Sequence, residues 1–225
     1  MRAARYSAGV NKRELVGKLV GSEPARALEV ARSISEPWYR CQSLAHVAWH
    51  VDDLKQFEKV ISEALSAAYE HDEPNRVVSV ASWAVRVMVE KSDRRLSSVV
   101  DELLQKIQRE ANPVRRADAL FFLFEAVFHE PRLRDLVLDV LLGVCAQMNS
   151  WKRPLVMSNI ALVLAEDDPD RASQIVEMIG EGRKSRQTLR DITARKWLGP
   201  HEFFPHYAKR PLAPGGDDGV DPKRT

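Results

Sequence analysis

Between Asp53 and Tyr69 the apolar residues Leu54, Phe57, Val60, Ile61, Ala64, Leu65 and Ala68 recur at steps of three, three, one, three, one and three. This is the helical period, with no strand-like alternation, and it predicts an amphipathic helix with one buried side. The rest of the chain repeats the rhythm. Leu15, Leu19 and Val20 mark a short helix from a cap at Asn11 to Gly21, and Ala25, Leu28, Val30, Ala31 and Ile34 mark one begun by Ser22 and Pro24. After Pro37 the stripe is Leu44, Ala45, Val47, Ala48 and Val51; after Pro74 it is Val80, Ala81, Trp83, Ala84, Val87 and Met88. A cap at Ser92 or Asp93 precedes Leu96, Val99, Val100, Leu103, Leu104 and Ile107. Pro113 opens the Leu120–Phe124 helix, apolar enough to be covered on both sides, and Pro131 opens a stripe from Leu133 to Val144. Trp151–Leu164, Pro169–Ile179 and Lys184–Trp197 complete eleven expected helices. Pro24, Pro37, Pro74, Pro113, Pro131 and Pro169 all fall at starts, where a missing N–H costs nothing. The first ten residues show no periodicity and read as a flexible, frayed end.

A longer period lies over this one. Glu36-Pro37-Trp38-Tyr39-Arg40 opens a run of small and apolar residues, and similar runs follow Arg76, Arg116 and Arg153, at steps of 36, 40 and 37 residues. That spacing belongs to stacked helical hairpins. One hairpin has too little area to bury its own apolar sides, whereas stacked neighbours make a continuous core. Small residues such as Ala45, Ala48, Ala81, Ala84 and Ala161 would let the helices approach closely. The expected organisation is a flexible stretch over 1–10, a helical-repeat body over 11–198 and a Pro/Gly-rich tail over 199–225 whose last part is disordered.

The stretch Asn112-Pro113-Val114-Arg115-Arg116-Ala117-Asp118-Ala119-Leu120 resembles the start of the second helix in HEAT-type repeats. A tetratricopeptide-like stack is the alternative. The resemblance implies an all-α fold, a right-handed α-α superhelix of about five hairpins whose second helices line the concave face. It also implies an arginine ladder paired with an acid in the preceding turn. Glu36 and Asp72 or Glu73 stand at two such places, while Asn112 and Ser150 stand at the other two.

Composition narrows the class without naming a chemistry. An apolar fraction of 44% and a charged fraction of 29% suit a soluble globular chain. Arg2, Arg5, Lys12 and Arg13 interrupt the start, so a secretory leader is not expected, and no run nears the roughly 18–20 apolar residues of a membrane span. Cys41 and Cys145 read as buried thiols in a reducing compartment, which makes the cytoplasm the expected location. The ends are basic, net +4 over residues 1–20 and +5 over 181–210, around a middle of net −6 over 21–180.

Motifs for phosphate loops, nucleophile elbows, zinc helices or Cys-x-x-Cys are missing from the sequence. His46 and His50 share a helix face, but no third ligand follows from the same helix. Asp52–Asp53 and Asp167–Asp168 read as helix-start acids. No cofactor or metal is expected. What remains is Arg40, Arg76, Arg116 and Arg153, either a structural ladder on turn carbonyls or a row of cations suited to phosphates, with Trp38 and Trp151 each two residues before one of them. Phe203, Phe204 and Tyr207 lie in a non-helical stretch and would cap the last repeat or dock on a partner. The pattern points to a non-enzymatic module binding a protein or peptide segment; a nucleic-acid binder and an enzyme of unrecognised type are the alternatives.

Overall fold

The computed structural model describes the backbone of residues 2–204 and the side chains of residues 8–204; Tyr207 and the rest of the tail lie outside the described residues. Among the described residues there are eleven helices and no strand: α1 (Arg2–Leu19), α2 (Pro24–Arg32), α3 (Pro37–Trp49), α4 (Leu54–Tyr69), α5 (Pro74–Glu90), α6 (Leu96–Ile107), α7 (Pro113–Ala126), α8 (Pro131–Ala146), α9 (Lys152–Leu164), α10 (Pro169–Ile179) and α11 (Arg183–Thr193). All six marked prolines stand in the first turn of a helix. Side-chain caps hold three starts. Asp53 accepts from the Gln56 N–H at 2.8 Å, Asn112 from the Val114 N–H at 2.9 Å, and Asp168 from the Arg171 N–H at 3.0 Å.

Four details depart from the sequence pattern, each for a local reason. Helix α1 starts at Arg2, so Asn11 lies inside it rather than capping it. No apolar stripe announces this part, because its buried contact is a gap: a Cβ at Gly9 would come within 2.6 Å of the Tyr39 ring, so glycine admits the ring of α3. Helix α6 begins at Leu96; Ser92 instead takes a left-handed conformation (φ 52°) that closes α5, with the Asp93 N–H returning to the Met88 carbonyl. The same device ends α11 before Trp197, with Arg195 at φ 54° and the Lys196 N–H on the Asp191 carbonyl. Leu54, at the first position of α4, projects into solvent, 67% exposed, rather than joining the stripe.

The helices form two layers. The odd-numbered helices stack in order, α1 on α3, α3 on α5, and so on to α11, and each even-numbered helix lies against the odd helices before and after it. Among the even helices only α6 and α8 touch. The odd layer is therefore the closer packed, and alanines line it: Ala45, Ala48, Ala81, Ala84 and Ala161 are fully buried. Even helices such as α4 and α10 bury one side only, whereas α3, α5 and α9 bury residues around most of their circumference. A buried hydrogen bond of 2.7 Å between Ser158 and Thr188 joins α9 to α11. Phe124, in the last turn of α7, is wholly buried with Phe121 and Phe128 rings at 6.1 and 5.8 Å. Phe124→Ala is expected to cost about 3–5 kcal/mol in urea denaturation; a loss under about 1 kcal/mol would mean the core closes over the gap.

Candidate functional site on the odd-helix face

Beyond α11 the chain turns back and runs in reverse order over the exposed side of the odd helices. The Leu198 N–H donates to the Leu162 carbonyl of α9 at 3.2 Å. Next, the His201 N–H donates to Oε1 of Glu125 on α7 at 3.0 Å, and the His201 ring lies 5.1 Å from Phe122 of the same helix. Phe203 then meets Trp83 of α5 edge-on at 5.3 Å. Phe204 lies flat against His46 (4.9 Å) and Trp49 (5.1 Å) of α3, with Trp83 edge-on at 5.1 Å. Phe203 and Phe204 are buried, while His201 and Glu202 stay exposed. The two rings thus do not cover the last repeat. They sit on α3 and α5, and Met178, Leu189 and Leu198 near the chain's last helices remain close to half exposed.

This face carries two buried ionisable groups. Burial pushes the Glu125 carboxyl up to about 7, a rise that the His201 N–H only partly opposes. Burial likewise drives the His46 imidazole down to about 3, with the nearby His50 charge acting the same way. Burial thus favours the neutral form of both groups, Glu125 below about 7 and His46 above about 3. The His201 ring is also shifted down by burial, against the pull of Glu202.

The arginines do not converge. Arg40 donates to the Ile34 carbonyl at 2.9 Å and pairs with Glu70; Arg116 donates to the Glu110 carbonyl at 3.0 Å. In both cases the carbonyl lies in the turn six residues upstream. Arg153 reaches across to the Met178 carbonyl at the end of α10 at 2.9 Å, whereas Arg76 has only an exposed pair with Glu73 at 3.2 Å. Each sits in the first turn of a different odd helix. Their tryptophans differ too: Trp38 packs against the core with His71 edge-on at 6.0 Å, but Trp151 is 75% exposed. Cys41 and Cys145 are buried free thiols; burial raises both, Cys145 to about 11. His46 and His50 have ring centroids 5.4 Å apart, and no group of three metal-ligating side chains occurs among the described residues. No helix among them is long and apolar enough to cross a membrane.

Glu125, Trp49, Trp83 and Phe122 are the site residues that sequence reasoning passed over. One signal was available: Glu125 is the lone acid in the otherwise apolar run Phe121-Phe122-Leu123-Phe124-Glu125-Ala126-Val127-Phe128. Compared with known protein families, with curated proteins and with solved structures, the chain finds no match.

Two predictions follow from these contacts. Arg116→Ala leaves a turn carbonyl without its charged donor and is expected to cost about 1–2 kcal/mol, against less than about 0.5 kcal/mol for Arg76→Ala, measured by urea denaturation. The second concerns pH. Glu125 titrates near 7 in the folded chain against 4.5 ordinarily, so its contribution is complete below 4.5 and is lost as pH rises through 7. His46 titrates near 3 against 6.5, so its contribution is present above 6.5 and is lost as pH falls through 3. Thermal stability is therefore expected to peak between 4.5 and 6.5. Glu125→Gln should remove the decline on the alkaline side, a gain of about 2 kcal/mol at pH 8; an unchanged decline would place its cause at another group.

Proposed function

We propose that this chain is a non-enzymatic interaction module, a right-handed HEAT-like α-solenoid of about five hairpins whose odd-helix face holds a protein or peptide segment. One observation carries the reading. The non-helical segment from Leu198 to Phe204 runs along that face, bends at Phe203 and Phe204, and is held by rings and by hydrogen bonds to Leu162 and Glu125. A surface that accepts one non-helical segment has the width, the apolar lining and the main-chain acceptor that any such ligand needs. The partner is a protein segment in the cytoplasm. A nucleic-acid ligand draws less support, since Arg40, Arg116 and Arg153 spend donors on the chain's own carbonyls. An enzyme draws less as well, since the hydrogen bond that the Glu125 carboxyl accepts comes from a backbone N–H and its shift traces to burial rather than to a second acid or base.

The first test is fluorescence anisotropy of labelled single- and double-stranded nucleic acids across a salt series. No binding at low salt is expected. Tight binding that weakens steeply with salt would signal neutralised phosphates and move the function to nucleic acid. A second readout bears on the groove itself. Phe203→Ala/Phe204→Ala in the full chain should keep its helical circular dichroism and bind several-fold more of a hydrophobic dye. Loss of helix in that variant would make the segment part of the core instead of a ligand-like occupant.

A further inference from the structure

We infer that the partner segment carries two consecutive aromatic residues at a bend in a non-helical stretch, and that the chain's own His201–Phe204 competes with it for the odd-helix face. The inference rests on the interaction-module reading above and specifies its ligand.

Recognition on this face is divided among rings and one main-chain contact. Phe204 is stacked by His46 and Trp49 at interplanar angles of 20° and 28°, and Trp83 closes the slot edge-on at 73°. Phe203 is met edge-on by Trp83 at 86° and by Phe122 at 84°. The receiving rings come from α3, α5 and α7, so the slot exists only where three successive odd helices stack. Such partly buried tryptophan and phenylalanine rings are the groups that dominate binding energy at protein interfaces. Glu125 then fixes the register. It accepts a backbone N–H two residues before the first ring, a contact that any residue except proline can supply. The His201 ring lies 5.1 Å from Phe122 and 4.8 Å from Phe203, so a ring is favoured at that position too, whereas Glu202 is exposed and imposes little selection. The specification is therefore an N–H, a tolerant position, and two adjacent rings.

The resident segment is suited to yield. Among the described residues it is anchored to the helices by two backbone hydrogen bonds, from Leu198 and His201, and by the ring contacts, and its residues 196–204 belong to no helix or strand. Tethering raises its local concentration to about the millimolar range, so an incoming segment must outbid a covalently attached copy of similar chemistry. Binding from outside is thereby weakened without closing the site permanently. A second copy of the chain offering its own His201–Phe204 is the rival occupant.

The probe is a fluorescein-labelled peptide with the sequence of residues 197–210, titrated by anisotropy into the full chain. The receptors are the wild type, Phe203→Ala/Phe204→Ala and, in case the double variant unfolds, Phe204→Ala alone. The peptide is expected to bind the variants about tenfold or more tighter than the wild type, and Trp83→Ala added to either variant should abolish the gain. Equal affinity for wild type and folded variants would overturn the competition. If a peptide with both phenylalanines replaced by alanine bound the variants equally well, the aromatic specification would fall while the groove reading stood. If no peptide bound a variant with intact helical circular dichroism, the groove reading itself would fall. Light scattering covers the rival occupant: a wild-type dimer that the variants convert to monomer would assign the slot to a second copy and overturn the proposal.

Discussion

A helix with apolar residues around most of its circumference survives in water only if every side is covered, and α3, α5, α7 and α9 are helices of this kind. Two sides of each are met by the odd helices above and below, and a third by the even helices. The fourth would face solvent. Along α3, α5, α7 and α9 the returning segment takes that place, with Phe203 and Phe204 buried against Trp83, Trp49 and His46 and with the Leu198 N–H on the Leu162 carbonyl. The same requirement explains why the even helices are content with a single stripe. They have solvent on their outer sides, and the polar residues between their stripes meet it.

Covering the fourth side has an electrostatic consequence. Glu125 and His46 are polar groups on an apolar face, tolerable when exposed but costly when charged under a cover of rings. Both respond in the direction that keeps them neutral, one carboxyl pushed up and one imidazole pushed down. Glu125 also spends its oxygen on the His201 N–H, a donor that a non-helical strand would otherwise bury unsatisfied. Segment and face thus satisfy each other, which makes the arrangement a working picture of how this surface holds a chain.

The arginines belong to a different economy of the fold, that of helix ends. An odd helix begins directly after a turn whose carbonyls have lost their regular partners, and a guanidinium offers several donors in a planar fork. Arg40 and Arg116 reach the equivalent upstream carbonyl, whereas Arg153 reaches the following hairpin and Arg76 stays on the surface. The periodic positions are equal in sequence yet unequal in what they touch. Trp38 and Trp151 diverge in the same manner, one packed and one in solvent.

Amphipathic spacing and proline position determined the eleven helices, their starts at Pro24, Pro37, Pro74, Pro113, Pro131 and Pro169, and the all-α class, because these depend on neighbours three or four residues apart. Local chemistry also set the caps at Asp53, Asn112 and Asp168. Tertiary structure decided the rest. That Gly9 belongs to a helix follows from the Tyr39 ring packed on it, and no apolar pattern near residue 9 could announce a ring thirty positions away. That Glu125 meets His201 follows from a return of 76 residues along the chain. Whether an aromatic pair covers its own last hairpin or crosses back to α3 and α5 is likewise invisible locally, because any apolar face of suitable width offers it burial. Periodicity states which residues seek cover; only the packed chain states which surface supplies it.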